Sequence, residues 1–257
     1  MLNYASAANF IRLSRVLIPL SALLTALFFA VGLYLAWFVA PPDYQQGETV
    51  RIMYLHVPAA WLAMLIYAAM TSAALGTLVW RHPLADSAQK AAAPLGSGFT
   101  FLCLGTGSIW GKPMWGTWWV WDARLTSVLA LFLIYLGLVA LWRTIEDQGR
   151  AARAAAIFTL VGAVNIPIIK FSVDWWNTLH QPASVFRLGG PAIAPSMLWP
   201  LLVMALAFAF LFITLFLMAV RSEILRRRLH RLSLLAAAAQ EAGPVDQPSA
   251  WKAAYEP

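Results

Sequence analysis

Two of the four histidines flank a segment that is unusually rich in tryptophan. His56 stands in VRIMYLHVPAAW and His180 in DWWNTLHQPASVF, while residues 110–122 between them read WGKPMWGTWWVWD. Neutral imidazole is a good axial ligand for haem iron, whose porphyrin supplies the equatorial nitrogens. A large flat ligand also gains buried area and a preferred geometry by stacking on aromatic rings. These residue types together predict a haem-binding site.

The tryptophan segment places five of the chain's 13 tryptophans within residues 110–121. If residues 115–122 are helical, Trp115, Trp118, Trp119 and Asp122 are spaced i, i+3, i+4 and i+7, so that they share one face. Such a helix would lie on the membrane surface and present an aromatic platform that ends in a carboxylate, with Trp121 beside it. An ordinary interfacial belt is the alternative, although a belt needs only one or two aromatic residues per helix end.

Charged side chains near this segment have two interpretations. The cations Arg51, Lys112, Arg124 and Arg187 could meet the haem propionates at the watery edge of the site. Arg124 and Arg187 could instead be loop charges in contact with lipid head groups. Asp122 could bind within the site or simply cap the next helix, since an aspartate before ARLTSVLALFLIYL is a good N-cap. The sequence leaves both interpretations open.

Membrane helices are the elements that must position these residues. Of the 257 residues, 61% are hydrophobic and only 11% are charged. Several apolar runs approach the roughly 20 residues that a helix needs to cross a bilayer, which predicts an all-α polytopic membrane protein with six transmembrane helices. The runs are Val16–Ala40, Val57–Trp80, Ala91–Trp110, Leu125–Trp142, Ala154–Val173 and Ser196–Val220. The glycine-rich third run has the lowest helix propensity, and Asn165, Pro167 and Lys170 predict a kink in the fifth.

Basic residues predict the orientation of these helices. They concentrate at the N-terminus, after the second and fourth runs, and in the tail, which opens RSEILRRRLHR. By the positive-inside rule both termini are cytoplasmic, and three outer loops fall at about 41–56, 111–124 and 174–195. The tryptophan segment then occupies the second outer loop. His82 and His230 lie on the cytoplasmic face, where we expect ordinary surface histidines.

The chain is predicted to contain one membrane domain and a tail. Residues 1–220 form the six-helix domain, and residues 221–257 form a basic and then disordered cytoplasmic tail. The first run is longer than the apolar region of a signal peptide and is followed by Pro41, so we expect a signal anchor that stays in the protein. Cys103 is the single cysteine and lies in an apolar run, where we expect an inert packing role.

The run WGTWWVWDARLTS resembles the WWD signature of the CcmC family, the haem-handling membrane proteins of bacterial cytochrome c maturation. The resemblance extends to about residue 220, whereas the larger relatives CcmF and CcsA have more helices and more histidines. It implies that His56 and His180 are the axial ligands of the iron of haem b. It further implies that the WWD segment binds the haem and meets the haem chaperone CcmE. That segment comprises Trp115, Trp118, Trp119, Trp121 and Asp122.

The same resemblance implies a place in the bacterial inner membrane, with the haem site facing the periplasm. The partners would be CcmE, which receives haem on a histidine, the transporter subunits CcmA and CcmB, the small protein CcmD, and membrane lipid. No G-x-x-x-x-G-K-[ST] motif occurs in the chain, so ATP hydrolysis must come from a partner. We expect a haem-delivery scaffold first, and a protein that assists covalent haem attachment second.

Two other classes of protein remain as alternatives. A b-type cytochrome that carries electrons would normally place paired histidines inside its helices, whereas His56 and His180 fall at outer ends. A small-molecule transporter could use the helix breaks at Pro94 and Pro167 to form a midplane site. Against a transporter, no inverted repeat is visible and the helix interiors lack carboxylates. A nucleic-acid partner has little support, because the arginines stand where a membrane protein needs them.

Overall fold

The computed structural model describes residues 6–241, and seven α-helices account for most of this part of the chain. A short π-helical turn, Leu35–Val39, continues the first helix, and a 3-10 turn, Glu48–Ile52, leads into the second. The α-helices are α1 Ala7–Tyr34, α2 Met53–Trp80, α3 Pro83–Trp115, α4 Ala123–Thr144, α5 Gln148–Gly162, α6 Asn165–Trp175 and α7 Pro195–Glu241. The predicted all-α class is confirmed.

Within residues 6–241, five helical segments are long and apolar enough to cross a membrane, which makes the chain a multi-pass membrane protein. They are Ala7–Val39, Glu48–Trp80, Ala123–Thr144, Gln148–Trp175 and Pro195–Ala238. The third predicted run lies in α3, which has 33 residues but is not one of these five. Five of the six predicted spans are therefore supported on these criteria. Polar residues in the first turns of α3 and glycines along it lower its hydropathy.

α2 and α3 form the most extensive helix pair in the described part of the chain. They are joined where α2 ends, because the Thr77 hydroxyl donates to Asp86 Oδ1 at 2.7 Å and Gln89 Nε2 donates to Thr77 Oγ1 at 2.7 Å. At the other end of the pair, the ring of Trp110 on α3 contacts that of His56 in the first turn of α2, with centroids 5.7 Å apart. α3 therefore runs antiparallel along nearly the whole length of α2.

Small residues let α3 approach its neighbours closely. A Cβ at Gly96 would lie 2.2 Å from the ring of Tyr135 on α4, so only glycine leaves room for this tyrosine. The Tyr135 hydroxyl then reaches across to donate to the Ala63 carbonyl on α2 at 2.8 Å. Gly96 thus lowers the hydropathy of α3 but serves helix packing, as small residues commonly do between membrane helices.

The kink predicted in the fifth run is confirmed as a break between two helices. α5 ends at Gly162 and α6 begins at Asn165, which puts Pro167 in the first turn of α6, where its missing N–H costs no hydrogen bond. Asn165 Nδ2 donates to the Ser127 carbonyl of α4 at 2.8 Å. The break is therefore held against α4 by a specific hydrogen bond.

The chain divides into two compact units after Arg221. α7 continues to Glu241, so the part of the tail that the structure describes is helical. Within it, Glu223 accepts hydrogen bonds from Arg226 and Arg227, each with a shortest distance of 2.7 Å. The sequence predicts disorder toward the end of the tail. Residues 242–257 of that stretch lie outside the part of the chain that the structure describes.

Candidate functional site

Three interhelical segments are held by hydrogen bonds at one end of the helices. Trp110, near the end of α3, donates its indole Nε1–H to Gln46 Oε1 in the first segment at 3.0 Å. The backbone N–H of Leu179, in the segment after α6, donates to Asp122 Oδ2 at 3.3 Å. The segment 40–52 is therefore bound to the last turns of α3, and the segments 116–122 and 176–194 are bound to each other, where the sequence predicts a site.

His56 is held by α3. Its Nδ1 lies 3.0 Å from the Cys103 carbonyl oxygen and 3.1 Å from the Thr106 hydroxyl oxygen. Since a carbonyl can only accept, Nδ1 carries the proton in this arrangement, and Nε2 keeps the free lone pair. Cys103 itself is buried, as expected of a packing residue, and its backbone rather than its thiol serves the histidine.

His180 lies in the irregular segment after α6 and is oriented by two residues of the WWD segment. Its Nδ1 is 3.6 Å from Asp122 Oδ2 and has no hydrogen-bond partner among residues 6–241. Its ring meets that of Trp115 edge-on, with centroids 4.9 Å apart. Burial lowers the pKa of His180, although the Asp122 carboxylate opposes this shift. The imidazole is therefore neutral near pH 7, the form that binds metal ions.

Nδ1 of His56 is bonded to oxygens of the protein, which leaves Nε2 as the nitrogen with an available lone pair. Nδ1 of His180 instead lies 3.6 Å from Asp122 Oδ2 and makes no hydrogen bond within residues 6–241. Metal-ligating histidines usually donate their other ring N–H to a carboxylate or a carbonyl. The imidazoles of His56 and His180 are therefore the side chains here that could ligate the iron of a haem.

Asp122 has a double role that neither sequence interpretation covers alone. Its Oδ1 accepts from the backbone N–H of Leu125 at 2.7 Å, so it is indeed the N-cap of α4. Its Oδ2 binds Leu179 N–H and faces His180. One carboxylate thus fixes both the start of α4 and the segment that carries His180.

The four predicted cations differ in the hydrogen bonds that they make to the protein itself. Arg124 Nε donates to Ser172 Oγ at 2.9 Å and its Nη2 to the Ile169 carbonyl at 3.3 Å, which ties α4 to α6. Arg51 donates to the carbonyls of Ala36 and Ala40, at the end of α1, and pairs with Glu48. Lys112 donates to the Gly116 carbonyl at 2.9 Å, whereas Arg187 is exposed. Most of this charge is therefore fixed in place beside the site.

The helical interpretation of residues 115–122 is wrong. α3 ends at Trp115, and Gly116 terminates it in the left-handed region at φ 75°, after which residues 116–122 are irregular. The side chains of Trp118 and Trp121 are 57% and 76% exposed, whereas Trp119 is half-buried. The indole N–H of Trp119 is buried without a hydrogen-bond partner in residues 6–241. Within the WWD segment, Trp118 and Trp121 are therefore the exposed pair. Trp115 packs against His180, and Trp119 is partly buried.

Sequence reasoning missed two residues of α3 that shape the position of His56. Thr106 contacts Nδ1, and a Cβ on Gly107 would lie only 2.9 Å from His56 Cε1. The only signal in the sequence is the polar, small triplet Gly105-Thr106-Gly107 within an otherwise apolar run. Nothing in the triplet points to His56, which is 50 residues away from Thr106 in the chain.

The two remaining histidines have ordinary roles. His82 is the N-cap of α3, and its Nδ1 accepts from the backbone N–H of Leu84 at 3.3 Å. His230 is exposed on α7. Neither contacts His56 or His180 through any interaction described above.

Comparison with known proteins gives matches along most of the chain. Residues 1–235 match the family described as CcmC, Heme exporter protein C. A protein of that name from Bradyrhizobium diazoefficiens is 62% identical over 237 residues, which are 92% of this chain and 90% of the relative. Its counterpart from Escherichia coli K12 is 50% identical over 208 residues, 81% of this chain and 84% of the relative. The one from Haemophilus influenzae is 49% identical over 223 residues, which are 87% of this chain and 91% of the relative. The similarity thus extends over all the segments that form the site.

Proposed function

Because the chain belongs to the CcmC family, Heme exporter protein C, we propose that it binds haem b and delivers it to the haem chaperone CcmE in cytochrome c maturation. The observation that carries this proposal is the pair of His56 and His180. Nδ1 of His56 is bonded to the Cys103 carbonyl, so that Nε2 is free for iron, and Nδ1 of His180 lies 3.6 Å from the Asp122 carboxylate. When bound, haem supplies the iron and its redox chemistry.

The neighbouring side chains have distinct tasks in this proposal. Trp110 and Trp115 pack edge-on against the rings of His56 and His180 and restrict their rotation. Trp119 offers its buried N–H as a donor to a propionate, and Arg51, Arg124 and Arg187 supply positive charge at the edge. Trp118 and Trp121 are exposed and therefore accessible to the chaperone.

We further propose six transmembrane helices with both termini in the cytoplasm and the site at the periplasmic face of the inner membrane. α3 supports the sixth span, because it runs antiparallel to α2 and, at about 1.5 Å per residue, its 33 residues are long enough for a crossing. The basic residues after the second and fourth runs and in the tail support the orientation. Residues 1–220 would then be the membrane domain, with residues 221–257 as the cytoplasmic tail.

In this setting the protein acts as a scaffold within a CcmABCD complex. Its residues bind and orient haem, while the histidine that receives haem belongs to CcmE and the ATP-hydrolysing motif to another subunit. The positive charge around the site holds a dianionic ligand in one orientation, which is the precondition for presenting a fixed edge of the porphyrin to a partner.

The ligand assignment is tested on the purified full-length protein by its haem absorption spectrum. His56→Ala and His180→Ala should each shift the spectrum and lower the haem-to-protein ratio, and added imidazole should partly restore both. The matched controls are His82→Ala and His230→Ala, which should leave the spectrum and the ratio unchanged. If both ligand variants keep the wild-type spectrum, the assignment of His56 and His180 is wrong.

Delivery is tested by adding soluble apo-CcmE to the haem-loaded protein. Haem should move to the chaperone. A b-type cytochrome would keep its haem under these conditions, and a small-molecule transporter would purify without haem. Either of those results would contradict the proposed delivery function.

A further inference from the structure

We propose that Thr106 is a positioning residue that, together with the Cys103 carbonyl, holds the tautomer and the orientation of His56, so that Nε2 is the atom presented to iron. This inference rests on the proposed function, in which His56 is an axial ligand. It assigns a task to a hydroxyl on α3, outside the WWD segment and outside the two elements that carry His56 and His180.

The hydroxyl of Thr106 has only one proton, and the geometry shows where it goes. Thr106 Oγ1 lies 2.6 Å from the Leu102 carbonyl one turn back along α3, and 3.2 Å from the Cys103 carbonyl. A hydroxyl that donates to Leu102 can only accept at its other side. Thr106 therefore accepts from His56 Nδ1–H, at 3.1 Å.

Both groups that face His56 Nδ1 are thus acceptors. The Cys103 carbonyl, at 3.0 Å, accepts by its chemistry, and the Thr106 hydroxyl accepts because its proton is committed to Leu102. The Nε2–H tautomer would put the lone pair of Nδ1 against that of the Cys103 carbonyl, and Thr106 could bond to Nδ1 only by giving up its bond to Leu102. The contact therefore selects the Nδ1–H tautomer before any ligand arrives, and two acceptors at an angle also fix the plane of the ring.

A hydrogen bond to the far nitrogen makes a ligating imidazole more basic and holds its orientation. Thr106 should therefore stabilise ferric haem through His56. Its removal should weaken haem binding and make the reduction potential more positive. His180 has a different partner, the Asp122 carboxylate at 3.6 Å, so the effect of Thr106 should be confined to one of the two ligands.

The experiment compares Thr106→Val, which keeps the shape without the hydroxyl, with Thr106→Ser, which keeps the hydroxyl. The purified full-length protein is titrated with haemin, and the reduction potential and the EPR spectrum of the ferric form are recorded. Loss of outer-shell partners typically costs about 10–100-fold in metal affinity. Since the Cys103 carbonyl remains as a partner of His56, we expect a loss near the lower end of this range. The Thr106→Val variant should bind haemin about ten-fold more weakly and have a more positive reduction potential. The serine variant should match the wild type.

Thr100→Val is the matched control for loss of a threonine hydroxyl from α3. Thr100 Oγ1 donates to the Gly96 carbonyl at 2.7 Å and is buried, but it does not contact His56. This variant should leave affinity, potential and EPR spectrum unchanged. His56→Ala distinguishes a failure of the role of Thr106 from a failure of haem binding by His56. If it alters the spectrum while Thr106→Val behaves like the wild type, the role of Thr106 is overturned and haem binding by His56 stands.

Two further outcomes are decisive. If Thr106→Ser shows the same loss as Thr106→Val, the hydroxyl is not the cause and the inference fails. If His56→Ala itself changes neither the spectrum nor the affinity, the proposed function fails at this ligand, and the inference about Thr106 fails with it.

Discussion

Replacing Gly107 by alanine should displace His56 from its hydrogen bonds. A Cβ at this position would lie 2.9 Å from His56 Cε1 and 3.4 Å from Nδ1. Non-bonded carbon atoms prefer separations of about 3.5–4.0 Å, so the ring must retreat from α3 by about 0.6 Å or more. Gly107, Cys103 and Thr106 all lie on α3, and the same retreat therefore lengthens both contacts of Nδ1.

The size of the effect follows from these distances. The bonds from Nδ1 to Cys103 and Thr106 start at 3.0 and 3.1 Å. A retreat of about 0.6 Å lengthens them to about 3.6 Å, at which a hydrogen bond is no longer made. Loss of the outer-shell partners of a ligating histidine costs about 10–100-fold in metal affinity, and we expect a decrease in haem affinity within this range.

The assay is a haemin titration of the purified variant, with thermal unfolding measured in parallel. Gly98→Ala and Gly105→Ala are the matched controls, because a Cβ at either position meets nothing within 4 Å. An alanine in the interior of a helix stabilises it by roughly 0.5–1 kcal/mol relative to glycine, so neither control should lose stability. If Gly107→Ala binds haemin as tightly as Gly105→Ala does, the inferred link between α3 and His56 is refuted.

Two other substitutions test the WWD segment. Asp122→Asn keeps an oxygen for the cap of α4 but loses an acceptor for Leu179 N–H, so haem retention should fall while the protein level stays normal. Asp122→Ala loses the cap as well, and it should in addition destabilise the protein by about 1 kcal/mol in thermal unfolding. Equal haem retention in Asp122→Asn and the wild type would contradict the role of the carboxylate. Trp115→Ala should lower the haem-to-protein ratio, because its ring supports His180, whereas the exposed Trp118→Ala should leave that ratio unchanged and reduce co-purification of CcmE. An equal effect of both tryptophan variants on both measurements would contradict this division.

The sequence predicted the helices well because their cause is local. Apolar composition alone located α2 to within a few residues, as the predicted run Val57–Trp80 lies in a helix that begins at Met53 and ends at Trp80. The break before Asn165 also has a local cause, the proline of α6. In α3, by contrast, Gly96 makes room for Tyr135 of α4 and Gln89 bonds to Thr77 of α2, and such glycines and polar residues lower the hydropathy by which a span is recognised.

The contacts of the site could not be predicted in the same way, because they join residues far apart in the chain. His56 meets Thr106 across 50 positions, and Arg124 meets Ser172 across 48. Periodicity shows which face of a helix is buried, but it does not show which polar group of a neighbour that face meets. Gly116 is the local exception: its backbone conformation ends α3 and makes the expected helix over residues 115–122 impossible.

His180 is fixed from its N-terminal side, and this has a practical consequence for the segment that follows. Its backbone N–H donates to Thr178 Oγ1 at 3.2 Å, and the preceding residue, Leu179, is bound to Asp122. Nine and ten residues further on, Gly189 and Gly190 are exposed, adopt φ values of 93° and 90°, and have nothing within 4 Å of an added Cβ. Each doubling of a flexible loop costs only about 0.6 kcal/mol in closure entropy. This glycine pair is therefore the natural insertion point for a reporter or an affinity tag, at which the loop can be lengthened while the histidine keeps its position.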